Sequence, residues 1–203
     1  MLTLVLRTVL VLASPGCARA LHIAITGTNS GIGASAAKLL LGEGHTVYHA
    51  CRTQAGAREA VAQAGGGVPM VCDLADLDSV RTFSSALAER APGLDVLCLN
   101  AGVSPSRTAT VPARTKDGFE RTVGVNHLGH YALAQARQWR VIASHCPSLI
   151  AIQSPQLLRP LLAANSGRVV VTASGVHDPA SPGGTVQVIM IIITVMIIYS
   201  YYS

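Results

Sequence analysis

Short apolar runs alternate with stretches of helical period over most of the chain. His22–Thr26 (HIAIT) is a β-rich run, and Gly31–Glu43 then sets Ile32, Ala36, Leu39 and Leu40 on one helical face before Gly42 and Gly44 stop it. The pattern predicts further strands at Thr46–Cys51 (TVYHAC), Val68–Cys72 (VPMVC), Leu94–Leu99 (LDVLCL) and Arg168–Thr172 (RVVVT). Between them it predicts helices over Gly56–Ala64, over Asp78–Arg90 with Asp76 or Asp78 as N-cap, and from near Asp117 onward. Strands that are apolar throughout and are separated by helices fit a parallel sheet covered on both faces. The expected fold class is therefore α/β, with a doubly wound parallel sheet.

Three segments break this rhythm. Residues 1–20 (MLTLVLRTVLVLASPGCARA) are an apolar stretch ending in a small-x-small site at Ala18-Arg19-Ala20, the pattern of a cleavable targeting peptide. Arg7 interrupts that stretch and no basic region precedes it, so a misassigned start of translation is the competing origin. The compartment follows that choice: an organelle or the endomembrane system with a targeting peptide, the cytoplasm without one. Within the body, deleting Ala136–Gln156 would join Gln135 to Leu157 and place Leu133, Leu157, Leu158, Leu161 and Leu162 on one helical face. The interruption is expected to be an in-frame splicing remnant, the alternative being a genuine loop that adjusts substrate access. The last segment, 186–203 (VQVIMIIITVMIIYSYYS), is rich in β-branched residues. Three origins fit it: an apolar membrane-contacting anchor, a buried or aggregation-prone β segment, or translated non-coding sequence. The expected organisation is a domain over 21–185, carrying the insertion at 136–156, between a possible targeting peptide and an apolar tail.

Composition narrows the function classes. Half of the 203 residues are apolar and only 12% are charged, which excludes an intrinsically disordered chain. The net charge of +5 is spread along the sequence without a basic stripe, so no nucleic-acid partner is expected. Five cysteines, Cys17, Cys51, Cys72, Cys98 and Cys146, are odd in number and lack CxxC spacing, which argues against a disulfide framework or a zinc site. No metal is expected, and His127 and His130 read as packing or helix-surface residues.

The chemistry begins at Thr26-Gly27-Thr28-Asn29-Ser30-Gly31-Ile32-Gly33. Glycines at 27, 31 and 33 let the backbone turn sharply off a strand and bring amide groups and a helix N-terminus up to a pyrophosphate. Arg52 follows at the end of the second strand, where dinucleotide folds discriminate the ribose. An acid there would pair the 2′-hydroxyl of NAD, whereas a guanidinium suits the 2′-phosphate of NADP.

With these residues in place the sequence resembles the short-chain dehydrogenase/reductase family, whose own turn is TGxxxGIG. Further matches follow in family order: Asp73-Leu74 after the third strand, Asn100-Ala101-Gly102 after the fourth, Asn126 within VNHLGH, and Ser174 within VTAS. The NHLGH segment, with Val176-His177-Asp178 after the serine, is most similar to the retinol-dehydrogenase and protochlorophyllide-reductase branch. The resemblance implies a Rossmann-type fold, incomplete at its C-terminus. It implies cofactor contacts from Gly27, Asn29, Ser30, Gly31, Ile32, Gly33, Arg52, Asp73, Leu74, Asn100, Ala101 and Gly102. It further implies that Ser174 hydrogen-bonds a substrate carbonyl and that Asn126 organises a proton relay. An NADP-dependent oxidoreductase acting on a small carbonyl or alcohol follows as the expected function. Each residue also has a bland alternative: Asn126 satisfying backbone groups, Ser174 ending a strand, Asp73 capping a turn.

One departure matters as much as the match. The family's YxxxK pair, expected after Ser174, is absent: Lys38 and Lys116 are the only lysines, and the later tyrosines are Tyr199, Tyr201 and Tyr202. A phenol without an adjacent cation is a poor acid–base catalyst at neutral pH. The chain as written is therefore expected to be truncated before its proton donor and inactive. A non-catalytic dinucleotide-binding or interaction protein is the alternative. A dimer is the family habit, but its helical interface would include the interrupted helix, so the oligomeric state stays open.

Overall fold

The computed structural model describes residues 19–104, 113–134 and 168–172. Among these described residues, five strands, β1 (His22–Thr26), β2 (Thr46–Cys51), β3 (Val68–Val71), β4 (Val96–Leu99) and β5 (Arg168–Val171), form one sheet in the order β3-β2-β1-β4-β5. All neighbours are parallel, with Thr26 beside Ala50, Ile25 beside Cys98, and Cys98 beside Val170. The third strand lies at a margin of the sheet, where Pro69 is in register with His49.

Helices α1 (Gly31–Gly42), α2 (Gln54–Ala64) and α3 (Leu77–Arg90) connect successive strands. The helix that follows β4, here α4, is α-helical over Arg121–Val123, π-helical over Gly124–Gly129, and α-helical again over His130–Ala134. Strand alternation explains why the apolar runs are continuous. Ile23, Ile25, Val47, Val96 and Cys98 point to the side of α1, where they pack with Ala37 and Leu40. Their neighbours Ala24, Tyr48, Ala50, Leu97 and Leu99 point the other way, onto Val80, Phe83 and Leu87 of α3 and Val125 and Leu133 of α4. Cys51, Cys72 and Cys98 are buried thiols; burial pushes the Cys72 thiol up and that of Cys98 to about 12.

The caps differ in detail from the sequence expectation. Asp76 is the N-cap of α3, accepting from the amides of Asp78 and Ser79, and Thr53 caps α2, which begins two residues before Gly56. The helix expected from Asp117 begins at Arg121 instead. Glu120 caps it through the Thr122 and Val123 amides, and Asp117 accepts from Leu77 N on α3. Gly118, at φ 88°, turns the intervening segment back so that Arg114 and Glu120 form an antiparallel bridge. At the far end of the sheet the buried Asp95 accepts from His22 N and pairs with Arg19.

Candidate nucleotide site

The order of strands reverses between β1 and β4, and at the carboxyl ends of that pair an α/β sheet opens a crevice. The turn from Gly27 to Gly33 lies there. Gly27 has φ 71° and donates its amide to Ala50 O at 2.9 Å. A Cβ at Gly33 would lie 2.6 Å from Asn100 Nδ2 and collide with the Gly27 carbonyl oxygen, so this glycine lets α1 close onto the strand. Gly31 differs. It has φ 58°, and a Cβ built on it would meet nothing within 4 Å, so the turn faces open space at that point. Asn29 and Ser30 are exposed beside it, and Ser30 is the N-cap of α1 without using its hydroxyl to cap. The first amides of α1, which lack partners within the helix, open the same way. This arrangement fits a phosphate group, whose charge a helix N-terminus favours.

The remaining expected cofactor residues lie at the same edge. Arg52 is exposed, immediately after β2 and two positions beyond the residue paired with Thr26. Asp73 follows β3; its Oδ1 accepts from Ala75 N at 2.9 Å, and its amide donates to Ser79 Oγ at 3.0 Å, so the carboxylate shapes a turn. Leu74 is buried in the core. Asn100 follows β4, where its Nδ2 donates to the carbonyls of Thr26 and Gly27, while Gly102 is exposed. The Asn126 carboxamide clasps the Val103 peptide, donating to Val103 O at 2.9 Å and accepting from Val103 N at 2.8 Å. It thereby ties the π-helical turn to the loop after β4. Ser174, the tail and the segment 136–156 lie outside the described residues.

The family model described as short chain dehydrogenase matches residues 21–186. The chain belongs to that family. Among curated relatives it is 38% identical to mouse retinol dehydrogenase 14 over 161 residues, covering 71% of this chain and 47% of that protein. Protochlorophyllide reductase A of Hordeum vulgare is 43% identical over 132 residues, covering 62% of this chain and 34% of that protein. The chain thus spans about half, or less, of the length of the curated relatives it matches. A solved putative betaketoacyl-ACP reductase aligns at 28% identity with a TM-score of 0.55, covering 81% of this chain and 58% of its own. An alcohol dehydrogenase from Thermococcus sibiricus complexed with 5-hydroxy-NADP aligns at 23% identity and a TM-score of 0.55, over 82% of this chain and 63% of its own. That likeness concerns the fold alone.

In this member of the family the glycine turn also makes side-chain contacts that its motif does not describe. Thr26 Oγ1 is buried and accepts from the amides of Asn100 and Ala101 at 2.9 and 3.0 Å. It also lies 2.9 Å from Nε2 of His130. Thr28 Oγ1 lies 3.1 Å from Nδ1 of the buried His49, whose Nε2 lies 3.0 Å from Gly66 O. Since a carbonyl only accepts, His49 carries its proton on Nε2 and takes the Thr28 hydroxyl proton on Nδ1. Cys51 Sγ, 3.4 Å from Thr28 Oγ1, is then the donor to it. Burial holds both imidazoles below the ordinary histidine value, to about 4 for His130. The packing role expected of His130 is present, yet it is polar packing. The i to i+4 spacing from Asn126 was the available signal, whereas the contact with Thr26 is long-range.

Proposed function

We propose that this chain is the nucleotide-binding part of an NADP-dependent oxidoreductase that acts on a small carbonyl, alcohol or related reducible substrate. The observation that carries the reading is Arg52, an exposed guanidinium beside a glycine turn that has room at Gly31, with no acid at the corresponding place. Gly27, Asn29, Ser30, Gly31, Ile32 and Gly33 would hold the pyrophosphate, Arg52 the 2′-phosphate, and Asp73 with Leu74 the adenine side. Asn100, Ala101 and Gly102 would line the far wall. Bound NADPH supplies a hydride from its nicotinamide. Ser174 would orient the substrate carbonyl and Asn126 the relay that feeds its proton. The names of the curated relatives, a retinol dehydrogenase and protochlorophyllide reductases, are consistent with a small reducible substrate. The domain assignment is residues 21–185, with 136–156 as an insertion.

A second reading rests on the missing YxxxK: a non-catalytic dinucleotide-binding or interaction protein, in contact with a membrane through its apolar tail. Calorimetry with NADPH and NADH tests what the two readings share, and the transcript across codons 130–203 separates them. NADPH should bind at least about tenfold tighter than NADH, and Arg52→Asp should abolish the difference, since a charge-assisted contact to phosphate is lost and repulsion added. Equal affinities of the unmodified chain for the two cofactors would reject the NADP assignment. A transcript that continues into YxxxK supports the oxidoreductase; a tail confirmed as written supports the silent binder.

A further inference from the structure

His130 sits where two parts of the nucleotide site meet. Its Nε2 is 2.9 Å from Thr26 Oγ1, at the end of β1, and its Nδ1 is 3.1 Å from the carbonyl oxygen of Asn126 in the π-helical turn. The proton positions follow from counting donors and acceptors. Asn126 O only accepts, so Nδ1 carries hydrogen. Thr26 Oγ1 already accepts two amides, from Asn100 and Ala101, which occupy both of its lone pairs. Its own proton must therefore go outward. Two acceptors are in reach, Cys98 O at 3.4 Å and His130 Nε2 at 2.9 Å, and the shorter contact is to the imidazole. A neutral ring with hydrogen on Nδ1 satisfies every group in the chain Asn100/Ala101 amides, Thr26 hydroxyl, His130 ring, Asn126 carbonyl. In either other protonation state the Thr26 proton must turn to Cys98 O, and Nε2–H becomes a third donor to Oγ1, whose two lone pairs the loop amides already fill, so one donor is left without an acceptor.

The backbone around the ring agrees with this use. The amide of His130 bonds to His127 O, not to its usual α-helical partner Asn126 O. The Asn126 carbonyl instead takes the His130 side chain, while the Asn126 carboxamide holds Val103 in the loop after β4. One buried side chain thus joins the glycine turn, the Asn100–Ala101 loop and the helix bearing Asn126.

We propose that His130 is a positioning residue which, as a neutral Nδ1–H imidazole, locks the nucleotide turn and the Asn126 turn into one rigid unit. Its effect on nucleotide affinity rests on the nucleotide-binding reading above; its tautomer does not. His130 reaches no reacting atom itself and acts through Thr26 and Asn126.

The test uses the full 203-residue chain labelled with 15N-histidine. Long-range 1H–15N spectra at pH 7 should show the His130 ring neutral, with hydrogen on Nδ1. An Nε2–H tautomer or a protonated ring would overturn the proposal, and this measurement needs no variant. NADPH binding by calorimetry is the second arm. His130→Phe should weaken affinity about tenfold, and His130→Gln, whose amide both donates and accepts, should stay within about threefold of the unmodified chain. Combining His130→Phe with Thr26→Val should cost less than the sum of the two single losses, because both remove the same link. Equal losses in the Gln and Phe variants, or additive losses in the pair, would overturn it. If the unmodified chain binds no nucleotide, the functional reading fails by itself. The same cycle read by urea unfolding then decides the link, sub-additivity supporting it and additivity refuting it.

Discussion

The carboxamide of Asn100 lies across the end of β1, its Nδ2 3.0 Å from the carbonyl oxygen of Thr26 and 3.3 Å from that of Gly27. One side chain therefore serves two backbone acceptors where a strand stops and a turn begins. Asn100→Asp replaces the two donors with a carboxylate facing two carbonyls. The expected loss is about 2–3 kcal/mol of unfolding free energy, because buried acceptors lose partners beside a new charge. Urea unfolding at pH 7.5 measures it, and a loss below about 0.5 kcal/mol would mean that these bonds do not hold the turn.

Gly33 and Gly31 should respond differently to alanine. At Gly33 the added methyl meets Asn100 Nδ2 and the Gly27 carbonyl, so the domain should lose about 1–3 kcal/mol or more through overpacking. At Gly31 the space is open and only the positive φ of 58° is penalised, by about 1–2 kcal/mol. On the proposed reading NADPH affinity should fall disproportionately in Gly31→Ala, since the methyl would enter the open space assigned there to the phosphate. Thermal unfolding and calorimetry on both variants check the contrast, which fails if Gly31→Ala binds NADPH as tightly as the unmodified chain.

Acidification should destabilise the domain in two separate windows. The unfolded chain takes up a proton at each histidine near pH 6.5, whereas His130 does so only near pH 4 when folded, and His49 is lowered in the same direction. Their contribution is therefore complete above pH 6.5 and is lost as pH falls toward 4, up to about 3 kcal/mol for His130. For Asp76 burial opposes the charge, but hydrogen bonds from Lys116 and from the Asp78 and Ser79 amides hold it below the usual carboxylate range. Burial likewise opposes Glu120, and the Thr122 and Val123 amides outweigh it. Their contribution is present above about pH 4 and is lost only below it. Unfolding curves from pH 7.5 to 3 should show both steps, and His130→Gln should shrink the upper one alone.

The cap and its ion pair can be separated. Asp76→Ala should cost about 1–2 kcal/mol, because two helix amides lose their acceptor. Lys116→Met should cost clearly less than Asp76→Ala, since the 2.7 Å pair has an exposed, solvent-screened lysine. Equal losses in the two variants would assign the effect to the charge pair.

The chain as written should not reduce carbonyl substrates at a rate typical of the family. A positioned proton donor is worth about 10²–10⁴-fold, and no lysine follows Lys116. Inserting a family YxxxK segment with its helix after Gly184, while deleting Ala136–Gln156, should restore turnover. Steady NADPH oxidation by the unmodified chain would defeat this expectation and make His177 the first proton donor to test.

Local pattern carried most of the fold because the strands are largely apolar runs and α1, α2 and α3 end at Gly42, before Gly65 and just before Pro92. The parallel order, the position of the glycine turn at the end of β1 and the gathering of Arg52, Asp73 and Asn100 at one edge follow from that pattern. The misses are tertiary. Asp117 looked like a helix start, but Gly118 turns the chain and gives that carboxylate to α3. Cys72 closed an apolar run, yet it lies one residue past β3, its amide bonded to Cys51 O at 2.7 Å. The π-helical turn spans six residues, too few for its period to be distinguished from 3.6 in a sequence. Thr26 and Thr28 stand within the glycine turn, but their side-chain contacts, like those of His49, were not legible because the partners are 17 to 104 residues away.

Pro69 gives the sheet a direction of growth. Proline has no amide to donate, and at a sheet margin it leaves a gap in the row of groups that an incoming strand would need. The β3 margin is thereby disfavoured for strand addition, whereas Arg168–Val171 at the opposite margin contains no proline. Among the described strands the margin without proline is the one beside β5, so strand addition is favoured on the side of the sheet away from Arg52.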